Sequence, residues 1–347
     1  MSPFISVLFR AIPLVMGAVC LAFGLYVLSG GDDPGHVVAG HVNIALTAIC
    51  IALFTTAATI IRQLVHRYGR VWEIVLPTLG YLVATATVVW GVTVIQRGPE
   101  TEYVVAGHVM LGIGFIAACV STVAAASTKF ILIQASAKLA PGSGPPDGAY
   151  SRGVGAVLVA IPAVLALIGL AVSATLYARG GADALVAAHV LTGLSVICAA
   201  LVALVASIVR QVRNEFGDAE RYRWSWWVVT MGTVNVVLGV WVLLSSDDPA
   251  RLAPGTVLIG LGLICFSILS KVVLLALVWR QVFALANRIP LIPVGTALAC
   301  LFFAAFLFEA TTTQPGFFVG AHVLVGLGAV CFTLFSIVSI LEAGTSS

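Results

Sequence analysis

The sequence predicts an all-α, polytopic membrane protein with about 10 transmembrane helices arranged as five parallel-repeat helical hairpins. Three features predict this. Hydrophobic residues make up 61% of the chain and charged residues only 9%, with a mean hydropathy of +1.12; a soluble domain carries roughly a quarter charged residues. Apolar runs of about 20 residues, enough to cross a bilayer, recur along the chain. A phrase of small residue, polar residue and valine returns at Gly40-His41-Val42, Gly107-His108-Val109, Ala188-His189-Val190, Gly255-Thr256-Val257 and Ala321-His322-Val323. Its polar residues are spaced by 67, 81, 67 and 66 positions, a unit of about 67 residues with one insertion of about 14.

Each unit supplies a first helix before the phrase and a second helix carrying it. In hairpin one these are 5–29 and 37–65, joined by Gly31-Asp32-Asp33-Pro34. The first run resembles a signal peptide but is too long, lacks a small-residue cleavage site and has a twin in every later unit, so it reads as a helix. Hairpin two spans 72–96 and 103–136, turning at Pro99-Glu100-Thr101-Glu102. An insertion containing Ala140 to Gly148 (APGSGPPDG) follows, a composition that marks a linker. Hairpin three, 154–178 and 183–212, turns at Gly181-Ala182-Asp183. A charged link leads to Trp224-Ser225-Trp226-Trp227, an interfacial aromatic anchor, and to hairpin four, 225–245 and 253–283. Hairpin five, 289–311 and 317–343, turns at Thr313-Gln314-Pro315. The domain reading is therefore 1–136 for repeats one and two, a cytoplasmic linker 137–152, and 153–347 for repeats three to five. A pseudo-fivefold ring and a two-plus-three arrangement both remain open.

Charge sets the orientation. Of 17 basic residues, all but Arg97, Arg179 and Arg251 lie at the end holding the termini and the links between hairpins, while the turns within hairpins are acidic or neutral. The positive-inside rule then places both termini in the cytoplasm. The net charge of +3 calls for no nucleic-acid partner. Four of the seven cysteines, Cys50, Cys198, Cys265 and Cys331, recur nine positions after the motif residue and read as small packing residues rather than disulfides.

On a helical wheel, positions four and eleven after the motif residue share its face, at about 40° and 20°, whereas position nine lies opposite, which excludes an intrahelical His–Cys metal pair. Positions four are Ala45, Gly112, Gly193, Gly260 and Gly326, a small-residue stripe suited to close helix contact. His41, His108, His189, Thr256 and His322 thus share one depth near the outer surface. Three uses compete: hydrogen bonds between hairpins; a pH-sensitive or proton-passing outer vestibule, with Asn43, Asn235 and Glu309 as further polar groups; or ligation of haem or a metal by His41, His108, His189 and His322. Thr256 weakens any scheme that needs five identical ligands. Lys129 and Lys271 have apolar flanks; snorkelling to the inner surface explains them, with an intracellular anion site as the sharper reading.

Val38-Ala39-Gly40-His41 followed by Ala52 to Gln63 (ALFTTAATIIRQ) resembles a family of bacterial inner-membrane proteins catalogued as a domain of unknown function. The resemblance covers the whole chain and implies a multi-pass protein of the bacterial inner membrane, but supplies neither activity nor site residues. With no acid/base or nucleophile constellation, the sequence leans away from an enzyme. The working expectation is a channel or transporter for a small solute or ion, with a histidine-lined outer region. A haem- or quinone-linked redox protein and a structural or accessory subunit are the alternatives. No cofactor is called for by the residues themselves. The expected partners are the lipid bilayer and a small solute or ion; oligomerisation stays open.

Overall fold

A computed structural model describes residues 3–65, 68–131, 145–245, 248–279 and 288–345. His66, Arg67, Lys138, most of the Pro/Gly insertion and the Arg280-Gln281 pair lie outside the described residues. Ten helices long and apolar enough to cross a membrane are present: α1 (Pro3–Leu28), α2 (Pro34–Leu64), α3 (Arg70–Ile95), α4 (Thr101–Ser127), α5 (Arg152–Arg179), α6 (Ala182–Val212), α7 (Asp218–Leu244), α8 (Leu252–Trp279), α9 (Leu291–Ala310) and α10 (Phe318–Thr345). Among the described residues there is no strand.

Local chemistry sets the turns between paired helices. Asp33 caps α2, its carboxylate accepting from the amides of Gly35 (3.0 Å) and His36 (3.3 Å), with Pro34 at the first helical position. The turn from α5 to α6 is only Gly180-Gly181, and both adopt positive φ (69° and 90°), which a side chain would resist. Short 3-10 turns, Pro249–Arg251 and Pro315–Phe317, lead into α8 and α10. Two boundaries differ from the sequence expectation. α4 is interrupted by a turn at Thr128 and Lys129, after which Phe130 and Ile131 are helical again; the rest of the expected span, to 136, lies outside the described residues. α7 begins seven residues early, because Glu220 folds back to accept from the Gly217 amide (3.0 Å) and caps a charged turn that projects beyond the apolar run.

Packing divides the helices into two layers. The helices that carry the motif, α2, α4, α6, α8 and α10, each touch the next in that order, and α10 touches α2, so the five close a ring. The odd-numbered helices lie outside it, each packed on its hairpin partner and on the preceding ring helix; α1 does this against α10. Between 72% and 83% of the most apolar stretch of each ring helix is buried, against 22% to 33% for the outer helices. The outer helices turn residues such as Leu82, Leu167 and Phe302 outward, as lipid contact requires.

Small residues set both kinds of joint. Within three hairpins the backbones touch at facing glycines: a Cβ on Gly24 would lie 2.8 Å from the Gly40 carbonyl oxygen, one on Gly91 2.8 Å from that of Gly107, and one on Gly239 2.7 Å from that of Gly255. Around the ring, the small residue four positions after the motif receives two side chains of the next helix. Gly112 faces Leu191 and Leu194, Gly193 faces Leu258 and Leu261, Gly260 faces Leu324 and Leu327, and Gly326 faces Asn43 and Leu46. In lipid, where apolar burial drives nothing, such backbone proximity is what holds helices together.

Candidate functional site

The ring encloses an axial cavity lined by all five inner helices. Apart from Phe130, its lining falls at positions 5, 8, 12, 15 and 19 after the motif residues (position 5 in all repeats but the second), a face about 100° round the helix from that residue at 100° per step. These positions hold almost only leucine, isoleucine and valine; the layer at position eight is Ile49, Ile116, Ile197, Ile264 and Val330. The room left for the centre of a water-sized sphere is about 20 Å³ in the upper section and about 10 Å³ in a lower section, which continues toward the end of the ring that holds the links. Val123, Leu204 and Lys271 line both sections.

The layer at position fifteen breaks the apolar pattern: Thr56, Val123, Leu204, Lys271 and Ile337. Lys271 is 3% exposed, and no described residue accepts a hydrogen bond from its ammonium or pairs with it. No aspartate or glutamate lines either section. Thr56 donates to the Ala52 carbonyl (3.2 Å), and one layer below Ser127 donates to that of Val123 (2.7 Å), so both hydroxyl hydrogens are held by backbone.

The motif residues lie elsewhere. Each histidine has its Nδ1 against the carbonyl four residues back: His41 to Val37 (2.8 Å), His108 to Val104 (2.7 Å), His189 to Leu185 (2.6 Å) and His322 to Phe318 (2.8 Å). A carbonyl only accepts, so the hydrogen sits on Nδ1 and the Nε2 lone pair stays free. Thr256 plays the same part in repeat four, donating to Leu252 and Ala253 (2.9 Å each). Three of the rings pack against aromatic residues: His41 against Trp90 (5.6 Å between centroids), His189 against Tyr177 (5.1 Å) and Trp241 (6.4 Å), and His322 against Phe318 (4.1 Å), Phe308 (4.7 Å) and Phe23 (5.7 Å). They therefore fill crevices between ring and outer helices, and neither axial section is lined by any of them. Among the described residues, no three of His, Cys, Asp or Glu gather closely enough to hold a metal ion.

The other polar candidates are joints or surface groups. Asn43 donates to Ala39 (2.9 Å) and across the ring closure to the His322 carbonyl (3.2 Å); Asn235 donates from α7 to the Gly193 carbonyl (3.1 Å). Glu309 is exposed near the end of α9. Two of the recurring cysteines lie against their own outer helices, Cys50 beside Gly17 and Cys265 beside Gly232, and Cys50 also lies 3.8 Å from the Thr333 hydroxyl of α10. All seven cysteines are buried and free.

At the opposite end the basic residues are engaged. The Arg62 guanidinium lies 3.5 Å above the Trp72 ring, and Lys129 donates to the Gly148 carbonyl (2.8 Å). Gln63 donates to the Ser127 carbonyl (2.8 Å) and Gln211 to that of Leu275 (3.1 Å), equivalent clamps between ring helices, each preceded in sequence by an arginine, Arg62 and Arg210. In the α6–α7 link, Arg213 donates to Glu215 (2.7 Å) and to the Tyr150 carbonyl; that hydrogen bond holds the Glu215 carboxyl below its usual range. Burial pushes the Tyr150 phenol up to about 12.

Lys271 was visible in sequence as a lysine with apolar flanks, but its orientation was not. The seam at positions 5, 8, 12, 15 and 19 is the signal that finds it, with repeat four the only copy to carry a charge there.

The chain is similar to the inner membrane protein YhiM of Escherichia coli (strain K12), with 51% identity over 348 residues covering 100% of this chain and 99% of that protein. No solved structure matches it. A family model described as a protein of unknown function, DUF2776, matches residues 1–346, and the chain belongs to that family.

Proposed function

We propose that this protein is a channel for a small solute or ion in a bacterial inner membrane, with its pathway along the ring axis and both termini in the cytoplasm. The observation that carries this reading is the closure of five motif-bearing helices around one cavity with a single ammonium in its wall. An apolar column between two ends of a helix ring is the arrangement by which hydrophobic constrictions gate a pore through dewetting. The inner-membrane character of the 51% identical relative supports the location, and the basic links support the orientation. The pathway we favour differs from a histidine-lined one, since the histidines pack between helices.

Proteoliposome flux tests the reading. Wild-type protein, or the variant Ile197→Ser that wets the isoleucine layer, should carry small ions above the level of empty liposomes, and His108→Ala should leave that flux unchanged. Background flux from both wild type and Ile197→Ser would overturn the channel. For orientation, a C-terminal alkaline phosphatase fusion should be inactive and a fluorescent protein fusion bright; the reverse pattern overturns it.

A further inference from the structure

We propose that Lys271 forms a binding site for a small, weakly hydrated monovalent anion inside the axial cavity, and that it makes the pathway select anions over cations. The selectivity rests on the channel reading above; the binding site does not.

The site stands on its placement. Lys271 is 3% exposed and lines both cavity sections, so its charge lies on the axis and has not snorkelled to the surface. It lies eight residues before Trp279, the last residue of α8, about 12 Å of helix. An ammonium there forfeits its hydration, and a charged side chain kept inside a membrane protein normally pairs with another group or serves an ion pathway. Among the described residues no pairing group is present: neither section is lined by a carboxylate, and no residue accepts from the ammonium. The hydroxyls that line the lower section, Thr56 and Ser127, donate to backbone carbonyls and are neutral, so neither supplies a countercharge. Since none of the described residues supplies a countercharge, we assign that place to a bound anion.

The walls define which anion fits. Leucine, isoleucine and valine cannot replace a hydration shell, so sulfate or phosphate would lose more on entry than one ammonium returns. Thiocyanate or nitrate sheds water at lower cost and retains a full charge for Lys271. Cations meet the same ammonium as a barrier. Repeat four is specialised twice: α8 has threonine where the other repeats have histidine, and lysine where they have threonine, valine, leucine or isoleucine.

Two measurements on the full chain test this. In detergent, equilibrium dialysis with radiolabelled thiocyanate should find one ion per chain, displaced by nitrate but not by sulfate. Binding should fall at least tenfold in Lys271→Met and persist in Lys271→Arg. In planar bilayers, the ratio of nitrate to potassium permeability should exceed unity, fall at least tenfold in Lys271→Met and invert in Lys271→Glu. Absent thiocyanate binding, or equal binding by Lys271→Met that elutes as the wild type does and melts no earlier, overturns the site. Lysine-dependent binding without permeation keeps the site and removes the channel. Permeation indifferent to residue 271 keeps the channel and removes the selectivity.

Discussion

The histidine layer near the turns within hairpins and the lysine layer nearer the links between them lie in the same ring of five helices and answer to opposite rules. The motif residue recurs in every repeat; it is satisfied by its own backbone and, for His41, His189 and His322, pressed against aromatic rings outside the ring. Lys271 occurs once, faces the axis and has no partner among the described residues. A residue repeated five times reports what every hairpin needs in order to pack. A residue that departs from the repeat, at a cost in solvation, reports something only the assembled ring does. The small stripe beside the histidines supports this division, since it receives the side chains of the adjacent ring helix.

Four measurements would break or sharpen this contrast. The largest effect belongs to the lysine. Replacing a buried, uncompensated charge by an apolar side chain of similar volume relieves its solvation penalty, so Lys271→Met should stabilise the protein by about 1–4 kcal/mol, read as a later midpoint in detergent unfolding. A loss of stability would mean that the ammonium has a structural partner. Next comes the outer layer's backbone contact. In Gly107→Ala the new Cβ would sit 2.8 Å from the Gly91 carbonyl oxygen, and such overpacking should cost about 1–3 kcal/mol.

Third is the motif side chain itself. His108→Val should cost about 0.6 kcal/mol, the average worth of a hydrogen bond measured in a helical membrane protein. His108→Thr should recover most of that, as Thr256 does naturally. A larger loss, or a change in ion flux from either variant, would return the histidines to a functional role, and a Soret band in the purified protein would restore the haem alternative. The smallest effect is at the surface. The Glu215 carboxyl is depressed by its hydrogen bond from Arg213, so its contribution is full above the usual glutamate value of about 4.3 and disappears as pH falls through the lower folded value. Acidification across that window should lower the melting point of the wild type more than that of Glu215→Gln.

Much of the fold was legible because a bilayer imposes it. A run of about 20 apolar residues has to be a helix there, since no water is present to satisfy an exposed backbone. The five motif copies set the period, and most boundaries fell within a few residues of the apolar runs. The exceptions, the end of α4 and the start of α7, depend on a turn and on a Glu220 cap that hydropathy does not register. The small stripe was also legible as a helix joint.

The candidate site was not. In a soluble protein the buried face of a helix announces itself by polarity on the other side, but in lipid both faces are apolar and the contrast vanishes. Leucine toward the axis and leucine toward lipid are therefore the same letter. The sequence by itself determined ten helices long and apolar enough to cross a membrane, and it supplied the expectation of five hairpins with the motif residues at one depth. Only the tertiary structure decided that α10 closes on α2, that the motif histidines face the crevices between helices, and that Lys271 faces the axis. Closure is a contact between the two ends of the chain, and the direction of a side chain on a helix apolar all round is set by its neighbours rather than by its own pattern.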